Sequence, residues 1–128
     1  MYRSWKPWDV SGDARIDRSV EQLIRDGIER DERYTPEEIL AGIKSGEFQL
    51  FRYPKGIVVT QVTGHNRLLV FLLSGKDLDE WKKQATQDLK DFADLFGIDV
   101  IEAYCRPGLK KMLRDVGWVE EQVVLRLR

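Results

Sequence analysis

The stretch Arg67–Trp118, RLLVFLLSGKDLDEWKKQATQDLKDFADLFGIDVIEAYCRPGLKKMLRDVGW, decides the fold. Leu68 to Leu73 is a continuous apolar run, the signature of a central strand covered on both faces. After Gly75 the period changes. Leu78, Trp81, Ala85, Leu89, Phe92, Ala93 and Phe96 recur at helical spacing, which predicts a long amphipathic helix ending at Gly97. Ile98 to Tyr104 reads as a further strand. Pro107 opens a short helix carrying Leu109, Met112, Leu113 and Val116. Gly117-Trp118 closes that helix, and Trp118 is expected to cap the core between the two helices. A last strand, Val119 to Leu127, alternates at Val123, Leu125 and Leu127. Strand, helix and strand across residues 68–104 leave room for one right-handed crossover between parallel strands.

Upstream, two helices and two strands precede this stretch. Asp17 is a plausible cap for a helix whose apolar stripe is Val20, Leu23, Ile24 and Ile28. Thr35 caps a second helix, with Pro36 at its first position and Glu38 completing a capping box. Ile39, Leu40 and Ile43 form its stripe, and Gly46 ends it. Phe48–Tyr53 and Ile57–Thr63 read as strands joined by Pro54-Lys55-Gly56. The turn Gly64-His65-Asn66 leads back into the apolar run. Two tight turns make these three strands an antiparallel meander. The predicted order is α-α-β-β-β-α-β-α-β: an α+β domain with a mixed, mostly antiparallel sheet and helices on both faces.

The 128 residues suit a single domain, and that length buries roughly two-thirds of the unfolded surface. We read residues 1–15 as an aromatic arm and residues 16–128 as the domain. The arm holds Tyr2, Trp5 and Trp8. That is a large apolar surface to leave in water, so the arm is expected to dock on the domain or on a partner. Pro7 directs it to an edge position rather than a central strand. Lys plus Arg total 21 against 22 Asp plus Glu, which gives no electrostatic reason to expect nucleic acid or an acidic membrane as partner. No apolar run has the length of a signal peptide core or a membrane span. Cys105 is the single cysteine, so an internal disulfide is excluded.

Asp115-Val116-Gly117-Trp118 resembles the end of the short helix of the GNAT acyltransferases, where Gly-Phe commonly precedes the next strand. Leu89–Gly97 followed by Ile98-Asp99-Val100-Ile101 resembles that family's long helix and fifth strand. The resemblance implies a single GNAT-like domain. The family binds the pyrophosphate of acetyl-CoA on a glycine-rich loop, Arg/Gln-x-x-Gly-x-Gly/Ala, at a helix N-terminus. Here the corresponding segment is Leu73-Ser74-Gly75-Lys76-Asp77-Leu78-Asp79-Glu80. One glycine stands there, followed by three acids that would repel a pyrophosphate. Aligned on Gly117, the family's tyrosine general acid falls at Leu113, which cannot protonate a thiolate.

A narrower resemblance is to small GNAT-like proteins of tailed bacteriophages that lack the cofactor loop. It rests on Thr35-Pro36-Glu37-Glu38-Ile39, Ser45-Gly46-Glu47-Phe48-Gln49-Leu50, Val58-Val59-Thr60 and Tyr104-Cys105-Arg106-Pro107-Gly108. It implies a phage-type protein without efficient acetyl-CoA catalysis, acting through protein contacts in the host cytoplasm or the virion. Its partners would be other virion proteins or itself, with no cofactor. The alternative is an acyl-CoA N-acyltransferase with a degenerate pyrophosphate loop, acting on an unidentified amine. In that case Gly75 and Lys76 would hold acetyl-CoA, and Tyr104 or Cys105 would be the nearby proton donors.

The residues themselves carry blander readings beside these. Cys105 could be a nucleophile only if His65, predicted in a distant turn, reached it; a structural thiol is the simpler reading. Asp77, Asp79 and Glu80 lack the glycine and terminal glutamate of a calcium loop and read as a solvated helix start, and no metal site is expected. Lys82-Lys83, Lys110-Lys111 and Arg106 with Arg114 are basic pairs near acids, which suits solvated faces.

Overall fold

The computed structural model describes residues 17–28, 34–64, 66–103 and 113–119. Helix α1 spans Arg18–Ile28. The Asp17 carboxylate accepts from the Val20 N–H at 3.1 Å, so the predicted cap is in place. Helix α2 spans Pro36–Ser45. Thr35 Oγ1 accepts from the Glu38 N–H while the Glu38 carboxylate accepts from the Thr35 N–H, which closes the capping box. Gly46 ends α2 in the left-handed conformation, at φ 86°.

Strands β1 (Phe48–Tyr53), β2 (Gly56–Thr63) and β3 (Arg67–Gly75) form the antiparallel meander. Helix α3 (Leu78–Phe96) then crosses the sheet and returns the chain to β4 (Val100–Ala103), which pairs parallel to β3. The sheet order is β1-β2-β3-β4. Among the described residues its four strands are mixed and mostly antiparallel, with β3 between β2 and β4.

Two apolar layers sit on opposite faces. Val20, Ile24, Ile39 and Ile43 of α1 and α2 pack on Phe48, Leu50, Ile57 and Val59. On the other face Trp81, Ala85, Leu89 and Phe92 of α3 pack on Phe51, Val58, Leu68 and Val70. Alternate residues of β1 and β2 supply the two layers in turn, as the pleat requires.

The central strand departs from simple alternation. Val59 of β2 opposes Leu72, and Thr60 opposes Val70, so Phe71 is an extra residue in a bulge. As a result Phe71 and Leu72 both face α1 and α2, while Leu68, Val70 and Leu73 face α3. Phe71 joins an aromatic cluster with Phe48, at 4.8 Å between ring centroids, and Tyr34, at 5.2 Å.

Some boundaries differ from the sequence reading. Strand β3 runs on through Ser74 and Gly75, because the backbone continues to pair with Ile57 and Gly56 after the apolar run stops. Strand β4 starts at Val100, not Ile98: Ile98 is buried and its N–H donates to Ala93 O, so it belongs to the helix exit. Of the short helix, Leu113 and Arg114 are helical and residues 115–117 form a turn. The arm at 1–15, His65, Tyr104, Cys105, the start of the short helix and most of the last predicted strand lie outside the described residues.

Candidate functional site

The turn from β3 into α3 carries the residues that would meet an anionic cofactor, and its conformation is set by the β1–β2 turn beneath it. Gly75 adopts φ 147°. A Cβ there would stand 2.2 Å from the Lys55 carbonyl oxygen and 2.5 Å from Gly56 Cα, so only glycine fits. The Lys76 N–H donates to that same Lys55 oxygen at 2.9 Å. Gly75 and the Lys76 amide thus serve the packing of one turn on another.

Lys55 then reaches across the helix start. Its ammonium lies 2.6 Å from Glu80 Oε2 and 3.0 Å from Asp77 Oδ2. These hydrogen bonds, Glu80 first, raise the lysine above its ordinary pKa. The Lys55 hydrogen bond and charge hold the Asp77 carboxyl below its ordinary value. All three groups are well exposed, so the clasp orders the turn more than it stabilises the fold. Asp79 pairs with Lys82 at 2.7 Å. Asp77 itself sits at φ 51° with no side-chain cap bond to the helix, leaving its carboxylate directed to Lys55.

Beneath the clasp is an aromatic stack. Trp81 Nε1 donates to Lys76 O at 2.9 Å, and the Trp81 ring lies parallel to Tyr53 with centroids 5.2 Å apart. Gly56 lets that ring approach: an added Cβ would be 2.2 Å from Trp81 Cζ2. The Tyr53 hydroxyl donates to Asp88 Oδ2 at 2.6 Å, and Gln84 Nε2 donates to Asp88 Oδ1 at 2.8 Å. Asp88 is only 5% exposed. Burial, and then the Asp88 carboxylate, push the Tyr53 hydroxyl far above the usual phenol range. A phenol so shifted is a poor proton donor at neutral pH.

Leu113 is buried, and Trp118 is mostly covered. Trp118 Nε1 donates to Thr86 Oγ1 on α3 at 3.0 Å, and its N–H donates to Leu113 O. The ring thus ties the 113–117 turn to α3 at the place the sequence suggests. Among the described residues no group of three or more His, Cys, Asp or Glu could hold a metal ion, and no helix is long and apolar enough to cross a membrane.

Sequence reasoning misses Lys55 and the Tyr53–Asp88 pair. Lys55 reads only as the middle of a turn signal. Nothing local marks a lysine that bonds residues 22 and 25 positions away, or a tyrosine that bonds one 35 positions away.

No family model matches the chain, and no curated protein matches it. Among solved structures, TTHA1254 from Thermus thermophilus is similar in fold. A point variant of that protein superposes with a TM-score of 0.55 at 16% identity, covering 84% of this chain and 91% of that one. The wild type gives a TM-score of 0.53 at the same identity and coverage.

Proposed function

We propose that the chain is a GNAT-like protein of the phage type, acting through protein contacts without efficient acetyl-CoA catalysis. The observation that carries this reading is the Lys55 clasp. The would-be pyrophosphate turn presents three carboxylates, Asp77, Asp79 and Glu80, beside two ammonium groups, Lys55 and Lys76. An anion entering would have to displace the Lys55 bonds and face the freed carboxylates. The Lys76 N–H, one of the donors a phosphate would need, is already bonded to Lys55 O. Leu113 at the family's tyrosine position points the same way. The phage-type sequence pattern supports a virion or assembly setting, with virion proteins or a second copy as partner.

The second reading is an acyl-CoA N-acyltransferase in which Gly75 and Lys76 hold the pyrophosphate. It is favoured by one feature: Gly75-Lys76 stands at a strand-to-helix turn between two parallel strands, where such enzymes place their loop. Tyr104 or Cys105 would then follow β4 as proton donor. Calorimetric titration of acetyl-CoA separates the two. No binding below the millimolar range is expected. A micromolar dissociation constant that weakens on Lys76→Ala would overturn the first reading and establish the second.

A further inference from the structure

At the end of the molecule remote from the Lys55 clasp, a groove of about 580 Å³ opens between the C-terminal ends of α2 and α3. Its apolar wall is Ile43, Phe48, Val62, Phe92, Phe96 and Ile98. Phe48, Phe92 and Ile98 are buried, but Val62 is 45% and Phe96 57% exposed. Apolar surface of this kind, on a concave site, is suited to one or two large apolar side chains.

We propose that this groove seats Trp5 and Trp8 of the same chain. Asp17 fixes where the N-terminal segment joins the domain: its carboxylate is held by Arg52 of β1 at 3.1 Å. Among the described residues β1 pairs with β2 alone. Arg52 and Gln49, a polar residue lining the groove, are three positions apart on β1, or roughly 10 Å. Nine positions separate Trp8 from Asp17, a reach of up to roughly 30 Å. The span is therefore covered with slack, and a tethered side chain competes at high effective concentration against any free partner. Each tryptophan can bury about 150–250 Å², which matches a groove whose walls are left half open. Seating the two rings does not depend on whether acetyl-CoA binds.

A mutant cycle in the full-length chain tests it. Trp5→Ala with Trp8→Ala forms one arm, and Phe96→Ser the other; Val62→Ser repeats the second arm at a more conservative site. Each arm is expected to lower the Tm, and the combination to lower it no further than the larger single effect, at every protein concentration. Additive shifts would overturn the proposal, as would an unchanged Tm in the tryptophan variant. Non-additivity found only at high concentration, with a dimer in sedimentation, would also overturn it and place the tryptophans in the groove of a second copy.

Discussion

Tyr53 and Asp88 form the tightest polar contact between β1 and α3. Removing the hydroxyl leaves a carboxylate almost out of water with one neutral donor fewer. Tyr53→Phe is therefore expected to cost about 1–3 kcal/mol in urea denaturation. A loss below about 0.5 kcal/mol would show that water reaches Asp88 and replaces the bond. Asp17 gives a pH-dependent case. The Val20 N–H, then Ser19 and Arg52, lower its carboxyl from 3.8 to about 2. A depressed carboxyl contributes stability that is present above its unfolded value and lost as pH falls through the folded one. Asp17→Ala should cost about 1 kcal/mol at pH 7, as for other N-caps, and the gap to wild type should close between roughly pH 4 and 2. Parallel denaturation curves at pH 7 and pH 2 check both halves. Asp17 and Thr35 are legible in the sequence because a cap bonds its own first turn. Lys55 and Tyr53 are not, since their partners come together only when α3 has crossed the sheet.

At the scale of elements, α3 organises one side of the molecule. Its apolar stripe is readable from spacing alone, and so are the strands on either side of it. What it carries at its edges is less so. Trp118 docks the 113–117 turn on α3 through Thr86, with most but not all of its surface covered. A fully buried tryptophan would cost about 3–5 kcal/mol on truncation. Partial burial plus one hydrogen bond brings the expectation for Trp118→Ala to about 2–4 kcal/mol by thermal denaturation. Trp118→Phe should recover all but the hydrogen bond, about 0.5–1.5 kcal/mol. A Trp118→Ala variant as stable as wild type would show that the turn does not depend on its anchor. The end of β3 escapes the sequence reading for a physical reason. Ser74 and Gly75 look like loop residues, yet Ser74 Oγ donates to Leu23 O on α1 and Gly75 passes against the β1–β2 turn. Both are strand residues suited to close approach.

At the scale of the molecule, one sheet serves two cores that share no helix among the described residues. Residues one apart on β1 and β2 belong to different cores, so neither layer can form without ordering the strand that the other needs. At this scale too, the turn between β3 and α3 holds a lysine clasped between acids, and the acyltransferase reading requires acetyl-CoA to open it. The fold class is legible because periodicity changes sharply at Gly75. The state of the site is half legible. The acids are visible, but their neutralisation by a lysine from another turn is not.

The bulge at Phe71 has a consequence for chain length. Without residue 71, positions 68, 69, 70, 72, 73 and 74 alternate between the faces they already occupy. Val70 and Leu72 already oppose consecutive residues of β2. Excising one residue from the middle of a central strand normally turns everything beyond it inside out. Here excision of Phe71 should leave the rest of β3 in register, with the order of strands unchanged. The loss should resemble truncation of a buried phenylalanine, about 3–5 kcal/mol. Excision of Leu50 from β1, whose pairing with β2 carries no bulge, should instead unfold the domain, and comparing the two by circular dichroism distinguishes them. Phe71 is thus a supernumerary letter in this strand, and its bulge is the slack by which the strand is expected to tolerate being shortened.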